Sequence, residues 1–480
     1  MTVATHPRPV TTAANGFALV WRGAAARGAA TVAAKGAALG VTLFLARTLP
    51  TAEAGSFFLA LAAASTAGPL LSLGTAEMVA RDVPTADAGG SLVEGASVVR
   101  SAIRVVGRLA LVATLLAASV AFIVDTSFVA WAVVVAAMSS LLAIEAIGAA
   151  FLRARQRVVL AETLQAFAPT VFLAAVVVFA RPSTDGQVLF GVRTGLELVV
   201  CLVLLVVIAR MTREHSGGQG VRTLIHGAGP FWMCGLTWLA LQNADVLILG
   251  ASHGAAAVGR YIPILRVADL TATTLGLFAA YVLPIASRIH ATGRTDEIRH
   301  VYVRATALTV ALSIPVLSVL ALAPGDLIGV LVHDAGRDAV TVARILAIAY
   351  MVNAMCGLSV AVLQALGDVG MLARRWSVVL ATTIAADALL VPALGMVGAA
   401  LGTLLALVLL NGVSVTMLWK RHRISALSRL VWVPAVAAMV AAMGVALIVP
   451  QGRVRLVAIA AVSTGAAGAA IWRLLQGDAR

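Results

Sequence analysis

Four cations sit in or beside the first apolar run of the chain, and no acid accompanies them. Between Met1 and Ala52 there is no Asp or Glu, yet Arg22, Arg27, Lys35 and Arg47 interrupt or flank a stretch of Ala, Gly, Val and Leu. A cation at bilayer depth costs roughly 2.5–3.5 kcal/mol on insertion scales unless it faces a watery cavity, finds a partner or snorkels to the surface. With Arg22 at the inner surface and Arg47 at the outer, a rise of about 1.5 Å per residue puts Lys35 about 20 Å from Arg22, near the midplane and too deep to snorkel easily. Arg27 and Lys35 project within about 80° of each other on one side of a helix. Gly23, Gly28, Gly36 and Gly40 allow a neighbouring backbone or a ligand to come close. Two cations on one face point to a cavity for an anion. The alternative is that Arg27 snorkels and Lys35 pairs with a carboxylate; Arg22, nearest the surface, reads first as a topology signal.

The elements that hold these residues follow from composition. The 480 residues are 61% hydrophobic and 12% charged, with a mean hydropathy of +1.00, whereas a soluble globule carries about 25% charge. Apolar runs of roughly 20 residues, enough to cross about 30 Å of hydrocarbon, recur from end to end. The fourteen are 17–46, 55–78, 107–124, 128–150, 160–180, 187–209, 227–250, 261–286, 303–323, 340–366, 376–393, 396–418, 430–449 and 455–474, the eleventh short and the ninth divided. The expected fold is therefore an all-α polytopic membrane protein. Its first run is too long for a removable signal peptide and lacks a cleavage-site flank, so it stays as helix one.

Most of the 35 Lys and Arg fall on the side holding both termini, in clusters such as Arg100/Arg104/Arg108, Arg153/Arg155/Arg157, Arg374/Arg375 and Lys420/Arg421/Arg423. That side is cytoplasmic by the positive-inside rule. The net charge of +14 then reflects topology and contact with anionic lipid, not nucleic-acid binding. Loops are too short for a nucleotide-binding or catalytic domain, and no G-x-x-x-x-G-K-[ST] phosphate loop occurs. Neither ATP hydrolysis nor an enzyme such as a sugar polymerase fits. Cys201, Cys234 and Cys356 lie inside spans without metal-type spacing. Only Lys35 and Lys420 are lysines, which with the Ala and Val content indicates a GC-rich, bacterial genome.

A repeat runs through the chain. Leu45-Ala46, Gly55 and Phe57 match Leu249-Gly250, Gly259 and Tyr261 at a spacing of 204 residues, each set marking the turn between the first two helices of a six-helix half. Two related halves with a site between them is a transporter plan. The segment Ala46-Arg47-Thr48-Leu49-Pro50-Thr51-Ala52-Glu53-Ala54-Gly55 resembles the turn after helix one in the polysaccharide-export branch of the MOP flippase superfamily. Leu73-Gly74-Thr75, Asp245 to Gly250, Val258 to Tyr261, Pro284 and Leu394 to Ala400 resemble further landmarks of that family, over nearly the whole chain. Pro50 replaces the usual glycine-proline arrangement, and Ile262-Pro263 stand where small residues are usual.

The resemblance implies two six-helix bundles around a central cavity plus two C-terminal helices: an N-terminal lobe over 1–222, a C-terminal lobe over 223–423 and two additional helices over 424–480. It implies a flippase moving a polyprenyl-pyrophosphate-linked oligosaccharide to the outer leaflet of the bacterial cytoplasmic membrane by alternating access. Its partners would be the lipid-linked glycan, membrane lipids and polysaccharide polymerase machinery. No cofactor is expected, and coupling to an H+ gradient, a Na+ gradient or the membrane potential is left open. Arg27, Lys35 and Arg22 would bind the pyrophosphate, Arg through forked hydrogen bonds and Lys as a point charge. Arg266 resembles a basic position of the family and joins them, although Asp269 three residues on could hold it in an intrahelical pair.

Asp269 and Asp245 are the candidate ion-coupling acids. Glu145, Glu162, Glu197 and Asp387 also lie in spans, with Glu197 four residues after Arg193 in a structural pair. Gln242, Asn243, Asn353 and Asn411 are candidate sugar contacts. A flippase for the lipid-linked peptidoglycan precursor fits the same pattern. A multidrug or organic-cation antiporter of the superfamily would put an acid, not Lys35 and Arg27, in helix one. Reporter fusions after Arg213 and after Arg337 should report inside and outside respectively; the reverse, or one side for both, would refute the topology.

Overall fold

The computed structural model describes residues 32–76, 78–80, 83, 92–124, 126–155, 157–212, 221–291, 295–332, 336–425 and 428–476. Arg22 and Arg27 lie outside the described residues. The described residues are almost entirely helical, and no strand occurs among them. In order, the helices are α1 (32–48), α2 (Thr51–Ser72), α3 (Leu92–Val124), α4 (Thr126–Ala154), α5 (Val158–Phe179), α6 (Gly186–Thr212) and α7 (Val221–Ala291). They continue with α8 (Thr295–Leu322), α9 (Pro324–Leu331), α10 (Ala339–Cys356), α11 (Leu358–Ala365), α12 (Val369–Leu394), α13 (Met396–His422), α14 (Arg429–Ile448) and α15 (Arg453–Gln476).

Twelve described stretches are long and apolar enough to cross a membrane. One of them, 242–279, takes in parts of the seventh and eighth expected spans. Its α7 is interrupted at Gly254, whose φ of 78° and ψ of 175° lie outside the helical region and suit glycine. The ninth span is not divided: α8 runs unbroken through Pro315. The tenth is the divided one, α10 passing into α11 at Gly357. The eleventh is longer than its apolar run, because α12 carries Arg374 and Arg375 within its 26 residues. In the same way α3 begins at Leu92 and carries Arg100, Arg104 and Arg108 on helix, not on loop.

Helix α2 begins at Thr51, four residues before the expected start, and this places Glu53 in its first turn. The Glu53 carboxylate accepts the backbone N–H of Gly186 at 2.9 Å, where α6 begins, so a negative charge meets the unsatisfied donors and positive dipole end of a helix. Gly55 has a different task. A Cβ there would lie 1.8 Å from the carbonyl oxygen of Ala255, and one on Gly259 would lie 2.2 Å from that of Thr51. These are one contact seen from its two sides: residues 51 and 55 of α2 match 255 and 259 of α7 at the 204-residue repeat. The repeat legible in sequence thus reappears as a reciprocal seam between two helix starts.

Buried apolar side chains fall into several clusters. One joins α3 to α6 through Val99, Phe151, Leu152 and Leu204; another joins the second part of α7 to α8 and α11–α13 through Tyr302, Leu358, Trp376 and Leu418. The largest draws on both sides of the seam, including Phe57, Phe172, Tyr261 and Leu346. Helices α14 and α15 pack against α8 and reach the largest cluster through Ala442 and Ile459. Asp326 at the start of α9 fastens them, accepting from Gly452 N at 2.9 Å and from Arg455 Nε at 2.6 Å.

At the seam, backbone must move to admit a methyl group, and overpacking of this kind costs about 1–3 kcal/mol. Gly55→Ala and Gly259→Ala should each lower thermal stability in detergent, and the double variant should lose less than the sum, because either methyl already forces the same two helices apart. Additive losses would show that the two glycines do not share one contact.

Candidate functional site

The approach of α2 to α7 leaves a cavity of about 260 Å³ beneath it. Lys35 enters from α1, Arg193 from α6, and Arg266 and Asp269 from the part of α7 beyond Gly254. Lys35 Nζ lies 3.9 Å and Arg266 Nη1 3.6 Å from the same Asp269 Oδ2. Two cations from opposite sides of the seam therefore share one carboxylate. Both keep access to the cavity: the Lys35 and Arg266 side chains are 51% and 32% exposed against 13% for Asp269. Among the lining residues three positive charges meet one negative, and the walls between them are apolar. Phe57 stacks on Phe172 with ring centroids 5.5 Å apart and meets Phe190 edge-on at 6.1 Å. Such walls exclude water and strengthen whatever charge pairing the cavity makes.

Two of the cavity's hydroxyl groups are already engaged: Thr42 donates to the carbonyl of Ala38 and Ser65 to that of Ala62, each within its own helix. Arg47 is exposed at the end of α1, away from the cavity. Of the expected site residues, Lys35, Arg266 and Asp269 are brought together. Asp269 stands between two cations, the geometry of a counter-ion.

Asp245 lies in a second, smaller space of about 40 Å³ that shares Arg266 and Asp269 with the first and is lined also by Gln242, Tyr350 and Asn353. Its Oδ2 accepts from Tyr261 Oη at 2.7 Å and from Thr403 Oγ1 at 3.0 Å, and its Oδ1 from Val246 N at 2.8 Å. One carboxylate thus ties together α7 on either side of Gly254 and α13. Nearby Asp387 of α12, close enough to feel the charge of Asp245, has its Oδ1 buried without a hydrogen-bond donor, as does Thr383 with its Oγ1. Space for Asp387 comes from Gly402, where a Cβ would lie 1.7 Å from Oδ1. Asn411 is a packing residue, fully buried and donating to Asn353 Oδ1 at 3.2 Å and Leu407 O at 2.8 Å.

Sequence reasoning assigned Arg193 only to its pair with Glu197. The pair forms, but the guanidinium also lines the central cavity. The available signal was depth, since Arg193 lies well inside α6. Asp387 and Thr403 were missed as neighbours of Asp245 because α12 and α13, which carry them, lie more than a hundred residues further along the chain.

Neither protein-family models nor curated proteins match the chain. Solved structures do. The inward closed conformation of the lipid II flippase MurJ aligns with a TM-score of 0.72 at 12% identity, covering 95% of this chain and 99% of that one. An inward-facing multidrug resistance MATE family transporter of the MOP superfamily aligns at 0.62 and 18% identity, over 84% and 98% of the two chains. The MATE multidrug transporter DinF-BH aligns at 0.59 and 13% identity, over 89% and 100%. At these identities the likeness establishes a shared fold: this chain has the polytopic all-α architecture of MOP-superfamily transporters.

Filling the space beside Asp387 tests that site without touching a charge. Gly402→Ala should lower thermal stability in detergent, by about 1–3 kcal/mol, since a methyl cannot enter without displacing a buried carboxylate. Unchanged stability would show that the position of Asp387 is immaterial.

Proposed function

We propose that the chain is a MOP-superfamily transporter that flips a polyprenyl-pyrophosphate-linked oligosaccharide from the inner to the outer leaflet of a bacterial cytoplasmic membrane, for cell-surface polysaccharide synthesis. The observation that carries this reading is the sign of the cavity: Lys35, Arg193 and Arg266 line it with Asp269 as the one lining acid. A pyrophosphate brings the missing negative charge, and guanidinium groups give it charge-assisted, forked hydrogen bonds. Arg27 and Arg22, which lie outside the described residues, belong to the same proposed set of phosphate-binding cations.

In the cycle, the glycan head enters the cavity while the polyprenyl tail stays in lipid. The head would otherwise surrender its hydrogen bonds to water on crossing hydrocarbon. Asp269 holds Lys35 and Arg266 in place while the cavity is empty and yields them to the phosphates. An inside-negative potential favours outward movement of the anion by about 2.3 kcal/mol per charge per 100 mV. Asp245, together with the unpartnered Asp387 and Thr383, is the place for an H+ or Na+ to bind and couple its gradient to the cycle. Gln242 and Asn353, which line the smaller space with Arg266, serve in this reading as sugar contacts. Both termini lie in the cytoplasm, and polysaccharide polymerase machinery receives the product.

A second reading, transport of the lipid-linked peptidoglycan precursor, draws support from the fold it shares with MurJ across 95% of the chain. That cargo also presents a pyrophosphate, so the cationic cavity serves either. Organic-cation export is disfavoured by the same charges. Complementation separates the glycan readings: restored capsule or O-polysaccharide in a strain lacking its exporter supports the first, restored growth of a strain lacking its peptidoglycan-precursor flippase the second.

The charge reading has its own test. Purified protein should bind a prenyl pyrophosphate more tightly than the uncharged prenyl alcohol, with the difference shrinking at high salt. Lys35→Ala, Arg266→Ala and Arg27→Ala should each weaken that binding about tenfold or more, the loss of a hydrogen bond to a charged group. Lys35→Arg should retain part of it because charge remains while donor geometry changes. Equal affinity for the two lipids would return the cation antiporter to first place.

A further inference from the structure

Behind the cavity wall, α4 and α6 bury two carboxyl groups side by side. Glu145 and Glu197 are 7% and 2% exposed, and their carboxyls stand within hydrogen-bonding reach of each other. Ionised carboxylates are acceptors only. Contact between two of them in a low-dielectric interior therefore requires a proton, which one group donates to the other. The basic groups acting on Glu145 are Arg193, from α6, and Arg153, from its own helix. Arg153 is already committed, with Nε 2.9 Å from Glu162 Oε1 and Nη2 donating to Gln165, both on α5. The thiol of Cys201 lies beside both acids and donates to Leu141 O at 3.2 Å. Within the pair itself two carboxyls, Glu145 and Glu197, face the one guanidinium of Arg193, and one proton balances them.

Arg193 joins this set to the cavity. Its guanidinium is held by Glu197, one helical turn away, and its side chain is 11% exposed, yet it is part of the cavity wall together with Lys35 and Arg266. Any anion that reaches those two comes within the domain of Arg193. An anion that captures Arg193 strips Glu197 of its counter-ion, and an unpaired buried carboxylate is costly.

We propose that Arg193 is a third anion-binding residue of the central cavity, kept at Glu197 while the cavity is empty, and that its transfer to a bound anion is balanced by a proton taken up from solvent on the Glu145–Glu197 carboxyl pair. This rests on the reading of the cavity as an anion site and adds to it a linked proton. In the empty state one proton is shared by the pair and Glu197 neutralises Arg193. In the loaded state Arg193 neutralises the anion, both glutamates are protonated, and the incoming H+ forms the new O–H bond. Release of the anion reverses both steps. Binding is then tightest at low pH and weakens as the pH rises through the range where the second proton is lost.

The test uses the full-length protein in weakly buffered detergent solution, with a short-chain prenyl pyrophosphate as probe. Binding should be accompanied by about one more proton taken up by the wild type than by Glu197→Gln, the probe's own titration being common to both. Glu197→Gln, in which Arg193 is free, should bind at alkaline pH about as tightly as the wild type does at acid pH. Arg193→Gln should bind about tenfold more weakly than the wild type at acid pH and with no excess proton. Infrared difference spectroscopy on the wild type needs no variant: the probe should bring a gain in absorption by protonated carboxyl groups. No gain in that band, or equal proton uptake by wild type and Glu197→Gln when both bind, would overturn this inference alone. Absence of binding by the wild type would overturn the anion-site reading and this inference with it.

Discussion

A charge placed at the depth of a bilayer must be answered, and the architecture of this protein follows from how its charges are answered. Each of four cations in and around the cavity has a carboxylate within reach: Lys35 and Arg266 have Asp269, Arg193 has Glu197, Arg153 has Glu162. What distinguishes them is burial. The Arg193–Glu197 pair is enclosed by neighbouring helices, its side chains 11% and 2% exposed, where breaking one partner is strongly destabilising. The Lys35–Asp269–Arg266 group faces open space, and one carboxylate serves two cations. It is under-neutralised, and under-neutralised charge beside a cavity is what an incoming anion can use.

A break in a helix positions that group. At Gly254 the backbone leaves helical geometry, and the part of α7 beyond it carries Tyr261, Arg266 and Asp269. Asp245, before the break, accepts from Tyr261, after it, and from Thr403 on α13. The angle across the break is thereby set by side-chain hydrogen bonds as well as by packing. The same Asp245 lies near Asp387, so any ion that changes the charge of this corner acts on the element that carries Arg266 and Asp269.

Much of this was legible in the residues. The acid-free stretch around Lys35 pointed to a polar cavity before any helix was placed, and the matched glycines at 55 and 259 marked two corresponding turns. Helix ends were harder. Hydropathy stops at the first charged residue, whereas backbone hydrogen bonding does not, and so α3 and α12 extend past the basic clusters that ended their apolar runs. Cross-helix contacts had no sequence signal at all. The spacing of Arg266 and Asp269 announced their pair, but the reach of Lys35 to the same acid depends on two helices that nothing in the chain orders relative to each other. Arg193 was hidden by its own good partner: an i,i+4 acid explained it fully, and only the shape of the cavity gave it a second role.

The seam between α2 and α7 has the symmetry of a two-fold interface, the same small surface presented from both sides. Two such faces leave no half-parted arrangement with one contact kept, because sliding either helix withdraws Gly55 from Ala255 and Gly259 from Thr51 together. Parting is then a single cooperative event. A carrier sealed in this way passes from shut to open without lingering in a cracked intermediate, and it is through cracked intermediates that protons and small ions slip down their gradients unaccompanied by cargo.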